Sequence, residues 1–278
     1  MLVEHNVHSG NSLDTEGDPH GVTVLSYRNP GLEGSRLAME AGAGQEFRRQ
    51  LELLDRWGFT MITLSDCRLF FKGELHLPRR PIILTFDQGA VDLTDVVFPA
   101  LSDIGGRAVV FLSTGSVTGT PSVRGAGDGF AQGLPPDQMR AMHAAGIEFG
   151  SLMCTSRRLT DLSADEVTEE LVMSKERLEN LLGAPVYSCA YPHGTANAAV
   201  RQLAKQAGYE FAVRGATPHT VFGTDLFDIC RQSVTWITGR IGFALRVFAP
   251  HRRLIGMRRK TSLILSQETF VREAGTNR

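Results

Sequence analysis

The chain has 278 residues, 42% of them hydrophobic, enough for one large core. Its formal net charge of −1 argues against nucleic acid as a partner. No run of about 18 apolar residues is present, which argues against a membrane-spanning helix, and the four cysteines are too far apart for a zinc ribbon or a disulfide framework.

Residues 1–19 are polar and are expected to form a flexible tail with no secretory h-region, so cytoplasmic residence with reduced thiols is expected. A first strand is predicted over residues 22–27. A helix over 46–57 places Phe47, Leu51, Leu54 and Trp57 on one face and ends at Gly58. A strand over 59–64 and a short helix over 65–73 follow. Residues 82–87 then read as a buried strand that runs into Gln88 and Gly89. A helix over 94–104, a strand over 107–112, a Gly- and Pro-rich loop over 116–136, a helix over 137–145 and a strand over 147–151 come next. Ser163 and Glu166 form a capping box that opens a helix reaching Leu182. A strand over 187–191, a helix over 197–207 and strands over 211–213 and 230–234 complete the pattern. Strands alternating with helices predict an α/β fold with a parallel sheet closed into a barrel.

From Arg240 to Lys260 there are seven Arg or Lys and no acid, so the rest of the chain is acidic. Ile237, Ile241, Ala244, Leu245 and Phe248 share one helical face. An apolar face beside basic residues suits an anionic membrane surface over residues 236–260, peripheral to the inner membrane. Packing of that face on the barrel, with the arginines solvated, is the plainer expectation.

Three strand ends converge on one mouth in such a barrel: Thr85 to Gly89, Glu148 to Leu152, and Ala190 to Gly194. Their layout resembles the NodB-homology polysaccharide deacetylase family over residues 22–248. Ala207-Gly208-Tyr209 is similar to its Ala-Gly-Tyr helix end, and Asp228 to Arg231 resembles the Leu-Pro-Arg strand of exopolysaccharide-locus members. The resemblance implies a deformed (β/α) barrel spanning 20–235, a basic amphipathic extension over 236–278, and metal-dependent removal of acetyl groups from glycans.

In that family an Asp-Asp pair supplies the general base and a metal ligand, and two His supply the other ligands. Here the base position is Asp87, and the ligand positions fall on Gln88, Leu152 and Ser156. A neutral amide, an alkyl group and a hydroxyl do not make a zinc centre, so no metal cofactor is expected. The family's base-orienting Arg falls on Ala190 and its Tyr on His193. Two readings follow. One is a catalytically impaired protein of exopolysaccharide metabolism that binds glycan or an acetylated amino sugar through Gln88, Ser151, Ser156, Tyr191, Pro192 and Arg231. The other is a metal-independent hydrolase of amides or esters that uses Asp87 and His193 as its catalytic pair.

Overall fold

The computed structural model describes residues 22–28, 42–87, 93–117, 134–155, 157–216, 225–235 and 238–248. Eight parallel strands carry the fold: β1 (Thr23–Arg28), β2 (Thr60–Met61), β3 (Pro81–Asp87), β4 (Ala108–Leu112), β5 (Ile147–Ser151), β6 (Ser188–Ala190), β7 (Phe211–Ala216) and β8 (Ile229–Thr235). Seven of them close into a ring. β3, β4, β5, β6, β7 and β8 follow one another in the sheet, and β1 joins β8 on one side and β3 on the other. Ile82 pairs with both Thr23 and Met61, and Thr85 with both Ser26 and Val109. β2 and β4 therefore share the edge of β3 opposite β1, and the two-residue β2 lies outside the ring. The expected (β/α) barrel is present, deformed by this spur and by the single residue pair that joins β5 to β6.

The ring sorts its side chains by the two-residue period of each strand. Val24, Ile83, Val109, Phe111, Ala190, Val213 and Ile229 fill the interior. Leu25, Tyr27, Leu84, Phe86, Val110, Leu112 and Phe149 point outward into the helical layer. Gly150 makes room for this filling, because a Cβ there would lie 2.5 Å from the Phe111 ring and 2.7 Å from Ser188 Oγ. The helical layer includes α1 (Ala43–Arg56), α2 (Leu64–Phe71), α3 (Phe98–Ser102), α4 (Thr114–Val117), α5 (Pro136–Ala144), α6 (Ala164–Leu182) and α7 (Ala198–Gln206). The helix expected over 94–104 opens instead as a π-helical turn at Leu93–Val97, and Pro99 sits in the first turn of α3.

α2 contributes Leu64 and Cys67 to the barrel interior. A Thr63–Asp66 capping box starts it, and Arg107 Nη1 binds Asp66 at 2.6 Å. Glu148, on the interior face of β5, accepts a hydrogen bond from the Ser65 backbone N–H at 2.7 Å and from the Ser188 hydroxyl at 3.1 Å. Burial raises its pKa, and the donated hydrogen bonds oppose the rise.

Residues 240–248 form a last helix, α8, which belongs to the barrel. Phe243 and Val247 are fully buried, and the Val247 carbonyl accepts from Thr23 Oγ1 at 3.2 Å. Gln50 Nε2 reaches the Thr235 carbonyl at 3.3 Å and the Thr238 carbonyl at 3.5 Å, tying the turn before α8 to α1. The barrel thus extends past the boundary expected at 235. The face expected to pack is also corrected: Phe243 and Val247 point inward, while Ile241 is 80% and Leu245 61% exposed.

Candidate functional site

β3 delivers Asp87 to the carboxyl-end mouth of the ring, and β8 brings Arg231 beneath it. Both are interior positions on their strands, separated around the ring only by β1. Arg231 Nη1 donates to Asp87 Oδ1 at 2.6 Å and Nη2 to Oδ2 at 2.9 Å, a two-pronged ion pair. Nη1 also reaches Thr85 Oγ1 at 3.3 Å, and Nε donates to the Arg214 carbonyl at 2.9 Å. The guanidinium carbon lies 5.7 Å from the centre of the Phe111 ring. Arg231 is 1% exposed, and four of its five N–H donors are engaged by the protein. Arg231 lines the floor of the mouth, where its guanidinium holds Asp87. Ala190 lies fully buried in the apolar interior, so the arginine that the family resemblance implies on β6 is supplied here from β8.

Asp87, Leu152, Tyr191, Pro192, His193, Gly194 and Arg231 line one pocket. Of the expected ligand-binding residues, Tyr191, Pro192 and Arg231 line it, but the Tyr191 hydroxyl donates to the Phe227 carbonyl at 3.0 Å and is not free for a ligand. Ser151 is corrected outright. It sits on the helix side of β5, where its hydroxyl donates to Ser174 Oγ at 2.8 Å and accepts from the Met153 backbone N–H at 3.0 Å. Gln88 and Ser156 lie outside the described residues.

His193 is exposed and adopts a left-handed backbone, φ 56°, in the turn Pro192–Gly194. The following Gly194, at φ 69°, packs so closely on β7 that a Cβ there would lie 2.3 Å from the Gly215 Cα. This contact fixes His193 on the rim. No hydrogen bond joins His193 to Asp87, whose two oxygens are held by Arg231.

The loop after β5, where the resemblance places the metal-binding histidines, is tightly built. Glu170 of α6 is buried and accepts from the backbone N–H groups of Cys154 at 2.7 Å and Thr155 at 3.1 Å, and from the Thr155 hydroxyl. Thr114 N–H and Gly115 N–H bind the Met153 and Cys154 carbonyls, both at 3.0 Å. Sequence reasoning missed Glu170. Its signal was an acid on the inward face of α6, in register with Val167, Leu171, Ser174 and Leu178. Burial pushes the Cys154 thiol up, which suits a packing residue and not a nucleophile.

The residues present do not fit the divalent metal that the family resemblance implies. Leu152, at one of the implied ligand positions, puts an alkyl chain into the pocket. Among the described residues no three His, Cys, Asp or Glu side chains gather into a group able to hold an ion.

Comparison with known proteins places this geometry among relatives. The family model described as polysaccharide deacetylase matches residues 75–212. YxkH of Bacillus subtilis (strain 168), whose name assigns it to the polysaccharide deacetylases, is 23% identical over 169 residues. That match covers 61% of this chain and 57% of the relative, so the chain spans little more than half of the relative's length. The solved Streptococcus pyogenes deacetylase PplD in complex with acetate superposes with a TM-score of 0.68 at 19% identity, over 81% of this chain and 97% of that one. A de-N-acetylase from Aggregatibacter actinomycetemcomitans superposes with a TM-score of 0.67 at 15% identity, over 81% and 99%.

Proposed function

Because the chain belongs to the polysaccharide deacetylase family, we propose that it is a glycan-binding member that has given up metal-assisted deacylation. The observation that carries this reading is the alkyl side chain of Leu152, which stands in the pocket beside Asp87 at a position where the family resemblance implies a metal-binding histidine. The family's step needs a metal-bound water beside the base, and the donor set that the described residues bring to the mouth does not support it. Glu170 and Arg231 meanwhile keep the mouth rigid by contacts within the protein, as a binding site requires. The polysaccharide deacetylase relatives supply the ligand class: a polysaccharide carrying acetylated amino sugars. The pocket, about 130 Å³, is smaller than the roughly 300–1,000 Å³ of drug-sized ligand sites, so it takes one substituent of a sugar, with the rest of the glycan on the rim.

The test combines metal analysis, acetate release and glycan binding on the purified chain with acetylated glucosamine oligomers. The expected result is no stoichiometric zinc, no acetate released, and binding that Leu152→Trp weakens about tenfold by filling the pocket. Stoichiometric zinc with chelator-sensitive acetate release would sink the reading. Release that survives chelator and is lost in Asp87→Ala with His193→Ala would restore the metal-independent hydrolase in its place.

A further inference from the structure

The last helix leaves an apolar face uncovered. Ile241 and Leu245 stand one turn apart on α8 and are the two most exposed large apolar side chains among the described residues, at 80% and 61%. Phe243 and Val247 lie on the opposite side of the same helix and are fully buried. Single exposed apolar residues are ordinary on protein surfaces, but two neighbours on one helix face form a patch. The helix is held firmly on its inner side, by Trp57 against Phe243 and Phe248, by Thr23 on the Val247 carbonyl, and by Arg246 Nε on the Ser233 carbonyl at 2.7 Å. Burying Ile241 and Leu245 against the barrel would require expelling Phe243 and Val247, so whatever covers the outer face comes from outside the barrel.

Charge identifies the occupant. α8 opens with the exposed Arg240. Arg252, Arg253, Arg258, Arg259 and Lys260 follow within 12 residues of Phe248, and no Asp or Glu occurs between Arg240 and Lys260. In a chain of net charge −1 this is a local excess of one sign. Apolar side chains that enter an interface, next to cations that remain at headgroup level, are the elements of peripheral binding to an anionic bilayer. We propose that α8 docks the barrel on an anionic lipid surface, with Ile241 and Leu245 inserted at the acyl boundary and Arg240 at headgroup level, and with the positive charge of residues 252–260, which lie outside the described residues, adding to the attraction. Docking through the flank of the barrel leaves the mouth at Asp87 open at the end of the ring. The proposal does not depend on the glycan-binding reading, and its test makes no use of glycan.

Flotation of the full chain with vesicles measures it. The wild-type chain is expected to float with vesicles of phosphatidylglycerol mixed with phosphatidylcholine, and to stay behind with phosphatidylcholine alone or in high salt. Ile241→Ser with Leu245→Ser removes exposed groups only, so its thermal unfolding should match wild type while vesicle affinity falls about tenfold or more. Replacing Arg252, Arg253 and Arg258 by Gln should weaken binding to a similar extent and leave the patch intact. Equal flotation of wild type and the double Ser variant overturns the proposal, as does equal binding to neutral vesicles or no binding at all. Self-association in sedimentation that the double Ser variant abolishes assigns the face to a second copy instead. Protection of Ile241 from radical footprinting that disappears when residues 261–278 are removed assigns it to the chain's own end, and equally overturns the lipid assignment.

Discussion

The Asp87–Arg231 pair carries the largest asymmetry at the scale of single residues. Arg231 is 1% exposed and the Asp87 side chain 20%. Removing the acid leaves a cation sealed in the barrel, whereas removing the base leaves an anion still in touch with water. Asp87→Ala is therefore expected to cost about 3–5 kcal/mol of stability, and Arg231→Met clearly less, since the residual charge is partly solvated. Urea unfolding of the two variants checks the order, and an Arg231 variant that is the weaker of the two contradicts it. Sequence reasoning found Asp87 as a strand-end acid and named Arg231 as a ligand-binding residue, but did not pair the two. Nothing in the spacing of residues 87 and 231 reveals that β1 alone separates their strands. That fact belongs to ring closure, which pairs segments about 200 residues apart in the chain. Ser151 was misassigned for a simpler reason: a strand's end does not announce which of its alternating faces looks into the barrel.

The elements were more legible than the contacts between them. Every ring strand was foreseen within a few residues because parallel strands buried on both faces read as apolar runs. β2 shrank to two residues because only Thr60 and Met61 find a ladder partner, beside Pro81 and Ile82. The boundary at 235 failed because the amphipathic pattern of α8 has two apolar faces, and the sequence does not say which one the barrel takes. At this scale Glu148 offers a pH-dependent test. Its folded pKa lies above the ordinary carboxylate value because it is buried. Its contribution to stability is therefore complete at acid pH, below the unfolded value, and is lost as pH rises through the folded one. Glu148→Gln keeps an acceptor for the Ser65 N–H and carries no charge. The stability of this variant relative to wild type is expected to rise between acid and neutral pH, measured as the difference in urea midpoints. A difference that stays flat or falls across that range shows that Glu148 is not the buried acid that opposes folding.

For the molecule as a whole, α8 is part of the barrel's core. Phe243 is buried against Trp57, so Phe243→Ala should destabilise the entire fold by about 3–5 kcal/mol, as a core truncation does. A single cooperative transition at a lower Tm is the expected calorimetric signature, and an unchanged Tm would detach α8 from the core. The closed ring has a further consequence, in time. Its last strand to be synthesised is β8, which must slide between β7 and β1 to complete the sheet. Before it arrives, β1 and β7 are open edges able to pair with other chains, and the mouth is a gap with an unpaired acid on one lip. Pairings this distant in sequence form late in folding, because the chain between them must first be ordered. Arg231 rides on that strand, so the step that shuts the ring is also the step that neutralises Asp87. A chain still emerging from the ribosome has neither, and it gains both in one event.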